Sequence, residues 1–272
     1  MIRKKLKTKW KVIFVISFLF VTCLLYSIFI GSRGFNIKEY KVINKSLDNS
    51  FYGLKIVHFS DLYYGKIIEE KELSKIVNNI NVTKPDIVVF SGDLIDKDTA
   101  YTSEIEEILI KYLLKIESTY GNYYVNGDND KSINKLMDSS NFIAINNICE
   151  TITNKENKYI YLCGFDTKIN NTDFIDELKN NYKILVMHYP DYYEKIKDYN
   201  FNLVLSGHSY NGQFRLPFIN GILRKKNSKT YYNEYYKISN TDLYISNGLS
   251  TDNINLRTFN KPSFNLYRLV DK

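Results

Sequence analysis

The chain has 272 residues, 44% of them apolar, with no low-complexity tract and no repeat. These features suit one large globular domain and exclude fibrous and solenoid classes. The formal charge of +7 is local: residues 1–11, MIRKKLKTKWK, hold six basic and no acidic side chains, leaving 31 basic and 30 acidic in the rest. A near-neutral body carries no nucleic-acid footprint, so no nucleic-acid partner is expected.

Val12 to Ile30, VIFVISFLFVTCLLYSIFI, is free of charge and as a helix reaches about 28 Å, enough to span a hydrocarbon core. The basic cluster precedes it, so the positive-inside rule puts the N-terminus in the cytoplasm and everything after Gly31 outside. The run is long for a signal-peptide core and no small-x-small cleavage site follows, which favours an uncleaved single-pass anchor. Cys23 lies within it. Cys149 and Cys163 have neither metal-ligand spacing nor a redox motif. Buried free thiols are the default for them, and a single disulfide is the alternative.

Residues 31–50 read as a tether with an edge strand, EYKVI. Leu54 to Ser60 reads as a buried strand ending at Asp61. Leu73, Ile76, Val77 and Ile80 share one helical face. Lys84-Pro85 ends that pattern. Ile87 to Phe90 is an apolar, partly β-branched run suited to a strand buried on both faces, and Asp93 follows it. Ile105 to Ile116 is a second amphipathic helix. Gly121 to Asn126 is a third strand, leading into Gly127-Asp128-Asn129-Asp130. Strands follow near 142–148 and 159–163, then a short helix near 172–180. Lys183 to Met187 is a strand ending at His188, residues 191–198 a helix, and Asn202 to Ser206 a strand ending in Gly207-His208. The strands at 243–247 and 264–269 are expected to close a second sheet. Tyr231 to Tyr236, YYNEYY, reads as a β-edge surface rather than a groove lining.

Asp61, Asp93, Asp128, His188 and His208 thus all stand where a strand meets a loop. Ligands of α/β sheets bind at the carboxyl ends of strands, and carboxylates with imidazoles form a ligand set for Mn, Fe, Zn or Ni. His58 lies three residues before Asp61 on an extended strand, points to the opposite face, and reads as a core or edge histidine rather than a ligand.

The ordered series SDLY, GDLID, GDND, MHYP and SGHSYNGQ resembles the calcineurin-like metallophosphoesterases, whose pattern is D-x-H, G-D-x-x-D, G-N-H-D, H-x-P and G-H-x-H. The resemblance covers residues 40–272. GLKIVHFSDLYYG, KPDIVVFSGDLID and LVLSGHSYNGQFRLPF, including Gln213, Arg215 and Pro217, look similar to the membrane-anchored bacterial branch. It implies an α/β fold, a four-layer α-β-β-α sandwich, over residues 51–272, holding one or two divalent metal ions. By resemblance Asp93 bridges the metals, Asp128, His188 and His208 complete one site, and Asp61 belongs to the other. Asn129 and Asp130 fall in the motif that assists phosphoryl transfer.

Three positions depart from the pattern. The first-motif His is Tyr63, the last-motif His is Tyr210, and the His of G-N-H-D is Asn129. Neutral tyrosine, with a pKa of about 10, is a poor ligand for a divalent ion, so one metal site is expected to survive and the other to weaken. Asn129 donates a hydrogen bond but cannot transfer a proton, and general acid–base assistance is worth about 10² to 10⁴ in rate. Two functions follow as expectations. One is a membrane-anchored phosphoesterase acting on a phosphomonoester or phosphodiester, lipid- or cell-wall-linked, with metal-activated water. The other is a catalytically silent binding protein of the envelope on the same scaffold.

Overall fold

The computed structural model describes residues 2–130, 133–169, 172–215, 221, 224–251 and 254–270, with side chains from residue 8 onward; Pro217 lies outside these residues. Helix α1 (Ile2–Tyr26) runs into a wider π-type turn, Ser27–Gly31. Apolar side chains are exposed all around it, Phe14 by 71% and Phe20 by 69%, as suits a helix solvated by lipid. Its hydroxyls bond carbonyls one turn back: Thr22 to Phe18 at 2.8 Å and Ser27 to Cys23 at 2.6 Å. Bonds of this kind satisfy a hydroxyl where water is absent. The stretch Thr8–Gly31 is long and apolar enough to cross a membrane.

The rest folds around two six-stranded sheets. The first contains β1 (Asn36–Ile43), β2 (Lys55–Phe59), β3 (Ile87–Phe90), β4 (Asn122–Tyr124), β5 (Phe142–Ala144) and β12 (Ser263–Val270) in the order β1-β12-β2-β3-β4-β5. The second contains β6 (Ile148–Thr153), β7 (Tyr159–Phe165), β8 (Lys183–Met187), β9 (Leu203–Ser206), β10 (Tyr235–Ile238) and β11 (Thr241–Ile245) in the order β10-β11-β9-β8-β7-β6. Strands β2 to β5 are mutually parallel, as are β7, β8, β9 and β11.

Alternation within each buried strand builds three apolar layers. Val57, Val88 and Phe90 pack against Leu73, Ile76 and Ile80 of α2 (Glu70–Val82), Leu109 of α3 (Ser103–Leu113) and Leu136 of α4 (Asn134–Ser139). Their neighbours Ile56, Ile87 and Val89 face Ile184, Val186, Leu203 and Leu205 across the inter-sheet space. The outer face of the second sheet, with Leu185, Met187 and Val204, is covered by Ile175 of α5 (Asp173–Asp176) and Ile196 of α6 (Tyr193–Ile196). This is a four-layer α-β-β-α sandwich.

Two strand expectations are corrected. The stretch 142–148 is two strands in different sheets, because the chain crosses between them at 145–147. The strand at 264–269 does not join the second sheet. It inserts into the first, antiparallel to β2 and parallel to β1, a pairing that local periodicity does not encode. The 231–236 stretch leads into β10, an edge strand.

Cys149 and Cys163 form a disulfide, which corrects the free-thiol default. They are direct partners in the antiparallel β6–β7 register, with Cα atoms 4.0 Å apart. The bond closes a separation of 14 residues, and loop-closure entropy for that length is worth about 3 kcal/mol. Cys149→Ser/Cys163→Ser is therefore expected to lower the unfolding free energy by about that amount. Denaturant unfolding of oxidised and substituted chains measures it, and coincident midpoints would refute the bond's contribution.

Candidate metal centre

Five strand ends converge on one edge of the sandwich. Asp61 follows β2, Asp93 follows β3 and Asp128 follows β4, while His188 and His208 follow β8 and β9 of the other sheet. The first three loops continue the strand pairing: the Asp61 N–H donates to Gly92 O at 2.9 Å, and Tyr63 N–H to Asp93 O at 3.2 Å. The Asp93 and Asp128 loops touch through glycines. A Cβ on Gly127 would lie 2.5 Å from Asp93 Oδ1, and one on Gly92 would lie 2.6 Å from Gly127 Cα. Asp130 fixes this contact. Its carboxylate is buried and accepts the backbone N–H groups of Asp93 (2.6 Å), Gly127 (2.8 Å) and Leu94 (2.9 Å).

Asp93, His188 and His208 are buried, and one ligand atom from each lies within 4.8 Å of the others. Asp93 Oδ2 is 3.4 Å from His188 Nε2, and His188 Nε2 is 3.2 Å from His208 Nδ1. Donors around a tetrahedral ion with bonds of 2.0–2.1 Å lie about 3.3 Å apart, so the set fits a divalent cation. The outward ring nitrogens are held by carbonyls: His188 Nδ1 by Ser91 O at 2.7 Å and His208 Nε2 by Lys226 O at 2.8 Å. Such contacts fix which nitrogen is left to ligate. Asp93 Oδ1 accepts the Asn129 N–H at 2.9 Å. Asp128 sits at the rim, its side chain 35% exposed, with Oδ2 3.8 Å from His208 Nδ1 and Oδ1 accepting the Tyr189 hydroxyl. Asn129 is half-buried beside it.

Electrostatics follow from this packing. Burial disfavours the charged forms of Asp93 and His188, but each outweighs that cost for the other. The Asp93 carboxyl is held well below the usual carboxylate range, and His188 is pushed up to about 10. His208 is driven down to about 2 by burial and the neighbouring His188 and Lys225 charges. Protonated His188 thus directs an N–H toward Asp93 and His208, and a metal ion at these donors displaces that proton.

The other half of the resemblance is built differently. The Tyr63 hydroxyl donates to Asp93 Oδ2 at 2.5 Å, presenting a proton to the bridging carboxylate. Its ring stacks on Tyr210 with centroids 6.3 Å apart. Burial and the nearby carboxylates push both phenols well above 10, so neither supplies a tyrosinate ligand. Asp61 uses Oδ2 to accept the His208 N–H at 3.1 Å and the Ser60 hydroxyl at 2.5 Å, while buried Oδ1 has no hydrogen-bond partner among the described residues. These residues do not fit a second divalent ion.

His58 lies in the inter-sheet layer, with Nε2 2.8 Å from Ser91 Oγ and its ring 6.3 Å from Tyr267. Burial lowers it to about 3, so it stays neutral. Three residues here went unread in the sequence. Arg257, wholly buried, stacks over the Tyr210 ring at 5.4 Å and Lys225 lies over it at 4.8 Å. Tyr189 holds Asp128. A run RKK in a loop is the only sequence signal for Lys225, and nothing local marks Arg257.

A two-sheet sandwich carrying carboxylates and imidazoles on one edge is the arrangement expected of a metallophosphoesterase. The sequence profile of the calcineurin-like phosphoesterases matches residues 54–212, and the chain belongs to that family. It is 29% identical over 242 residues to the Bacillus subtilis metallophosphoesterase YkuE, covering 85% of this chain and 84% of that one. It is likewise 29% identical over 253 residues to a Helicobacter pylori metallophosphoesterase, covering 87% of this chain and 64% of the relative. Among solved structures it is similar to the calcineurin-like phosphoesterase YfkN of Bacillus subtilis, with a TM-score of 0.41, 13% identity, and 72% and 81% of the two chains covered. The chain is therefore a phosphoester hydrolase of a divalent-metal-dependent family.

Two outcomes are expected. Because His188 loses its proton on metal binding, and holds it up to about pH 10, metal affinity should rise about tenfold per pH unit across neutral pH. Competition titrations at pH 6, 7 and 8 measure this, and a flat profile would refute the assignment of His188. Elemental analysis should find one ion per chain in the wild type and a second in Tyr63→His/Tyr210→His.

Proposed function

We propose that this chain is a single-metal phosphoesterase, held on the outer face of a membrane and acting on phosphoesters at the bilayer surface. The observation that carries it is the convergence of Asp93, His188 and His208 beside a tyrosine-filled first position. Two imidazoles and a carboxylate suit Zn, Mn, Fe or Ni. A bound ion supplies Lewis acidity and a water of lowered pKa.

The chain's own groups do the rest. Asp93 contributes fixed negative charge to the ion and is held at both oxygens. Asp128, steadied by Tyr189, completes the ligand set from the rim. Asp130 is a positioning residue, since its side chain, among the described residues, bonds the backbone of the Asp93 and Asp128 loops. Asn129 orients a phosphoryl or leaving-group oxygen without moving a proton, so good leaving groups are favoured.

The disulfide supports the outer face, since such bonds persist in oxidising compartments, and so do the basic residues before the apolar run of α1. The anchor supports a membrane-proximal substrate. The Arg257 N–H donates to Ser27 O at 3.1 Å, the Ser27 and Thr258 hydroxyls are 2.8 Å apart, and Tyr26 stacks on Phe259 at 5.6 Å. A Cβ on Gly31 would overlap the Arg257 carbonyl. Exposed Ile254 and Phe259 flank this contact. Arg257 in turn touches Tyr210, so the anchor and the site share a residue.

Turnover of bis-(p-nitrophenyl) phosphate by the full chain in detergent tests the reading. Chelation should abolish it, and Asp93→Ala should lower kcat/KM by at least about 100-fold, as for loss of a principal electrostatic stabiliser. Equal rates for wild type and Asp93→Ala would exclude the mechanism. A folded, metal-loaded chain inert toward every phosphoester would favour the silent binding protein.

A further inference from the structure

Where the family pattern calls for a first metal ion, this chain has lost two imidazoles and kept the carboxylate of Asp61. That carboxylate is fully buried, and its Oδ1 has no hydrogen-bond partner among the described residues. A positive charge belongs beside it, and two side chains carry one there. Arg257 and Lys225 lie over the Tyr210 ring at 5.4 Å and 4.8 Å.

The two cations differ in what they can reach. The Arg257 guanidinium is sealed in the interior, donating to the carbonyls of Asn247 at 2.6 Å and of Ser250. It cannot meet a ligand from solvent. Lys225 is half-buried and belongs to a loop whose neighbours Arg224 and Lys226 are exposed. That loop is fastened to the metal centre, because Lys226 O accepts from His208 Nε2 at 2.8 Å. It is fastened to itself by Ser228, whose N–H donates to Lys225 O at 3.2 Å. The ammonium therefore lies over the Tyr210 ring, on a loop that also bonds a ligand histidine. Its charge acts on both Asp61 and His208.

A divalent ion beside Asp61 would compete with that charge and would find neutral phenols in place of donors. In a two-metal site both ions stabilise the phosphoryl oxygens. We propose that Lys225 replaces the first metal ion as the charge that holds the substrate phosphate, beside the single ion at Asp93, His188 and His208. This rests on the phosphoesterase reading for its substrate, but binding of phosphate tests it separately. An ammonium suits the task as a compact point charge with three donors.

Inorganic phosphate binding to the metal-loaded full chain in detergent, by isothermal titration calorimetry, is the experiment, with metal content and thermal midpoint taken on each sample. Lys225→Met should weaken phosphate binding at least about tenfold, the scale of one charged hydrogen bond, while keeping one ion per chain. Lys225→Arg should recover most of the affinity. Lys225→Gln, which keeps the stem and a polar tip, repeats the measurement if the Met variant loses its fold. Unchanged phosphate affinity in a folded Lys225→Met or Lys225→Gln chain overturns the proposal. So do two ions per wild-type chain, or a metal-loaded wild type that binds no phosphate. A wild type that binds phosphate through Lys225 but turns over no phosphoester keeps this inference and removes the hydrolase reading.

Discussion

Asp93 has to serve both sheets at once. Its backbone belongs to the end of β3 in the first sheet, while the imidazoles it faces stand at the ends of β8 and β9 in the second. The carboxylate reaches them only because β3 and β8 end at the same edge and the turn after Phe90 is held tightly. Gly92 and Gly127 let two backbones approach where side chains would collide, and Asp130 bonds the three N–H groups that this approach brings together. The rest of the centre is arranged around that one fixed oxygen.

Holding it has a conformational cost. Asp61, Tyr63, Asp93, His208 and Tyr210 all have positive φ, between 44° and 66°. For side chains bulkier than glycine such backbone costs about 1–3 kcal/mol per residue. It persists because the strands beneath are immobile. Ile56, Val57, Ile87, Val88, Val89 and Phe90 are each wholly buried, locked between the helices on one side and the second sheet on the other. The hydrogen bonds that continue the pairing into the loops pass that rigidity to the site.

The tyrosine substitutions change the charge balance as well as the ligand set. An imidazole offers a lone pair, whereas Tyr63 offers a proton, and Asp93 Oδ2 accepts it. The buried Asp61 carboxylate then lies near two side-chain cations, half-buried Lys225 and fully buried Arg257. Arg257 also receives the end of the apolar helix, through its backbone N–H to Ser27. The buried cation over Tyr210 and the contact with the apolar helix therefore meet in one short loop, residues 256–260. The phosphoesterase domain is in this way joined to the long apolar helix.

The one-dimensional pattern determined a good deal by itself. Apolar runs that end abruptly at Asp61, Asp93, His188 and His208 are legible as buried strands with polar side chains at their carboxyl ends, because burial and charge exclude each other locally. The anchor is legible for the same reason. Alternation alone turned His58 away from Asp61, as a core or edge residue, and it lies in the core. What depends on residues distant in sequence was not legible. The register that sets Cys149 against Cys163 needs both strands paired, the insertion of β12 between β1 and β2 needs the whole first sheet, and the crossing at 145–147 needs the second. Nor could spacing reveal that Tyr63 bonds Asp93, that Asp130 bonds the backbone of two loops, or that Lys225 and Arg257 lie over Tyr210. Those contacts join loops that are far apart along the chain, and only the closing of the two sheets brings them within bonding distance.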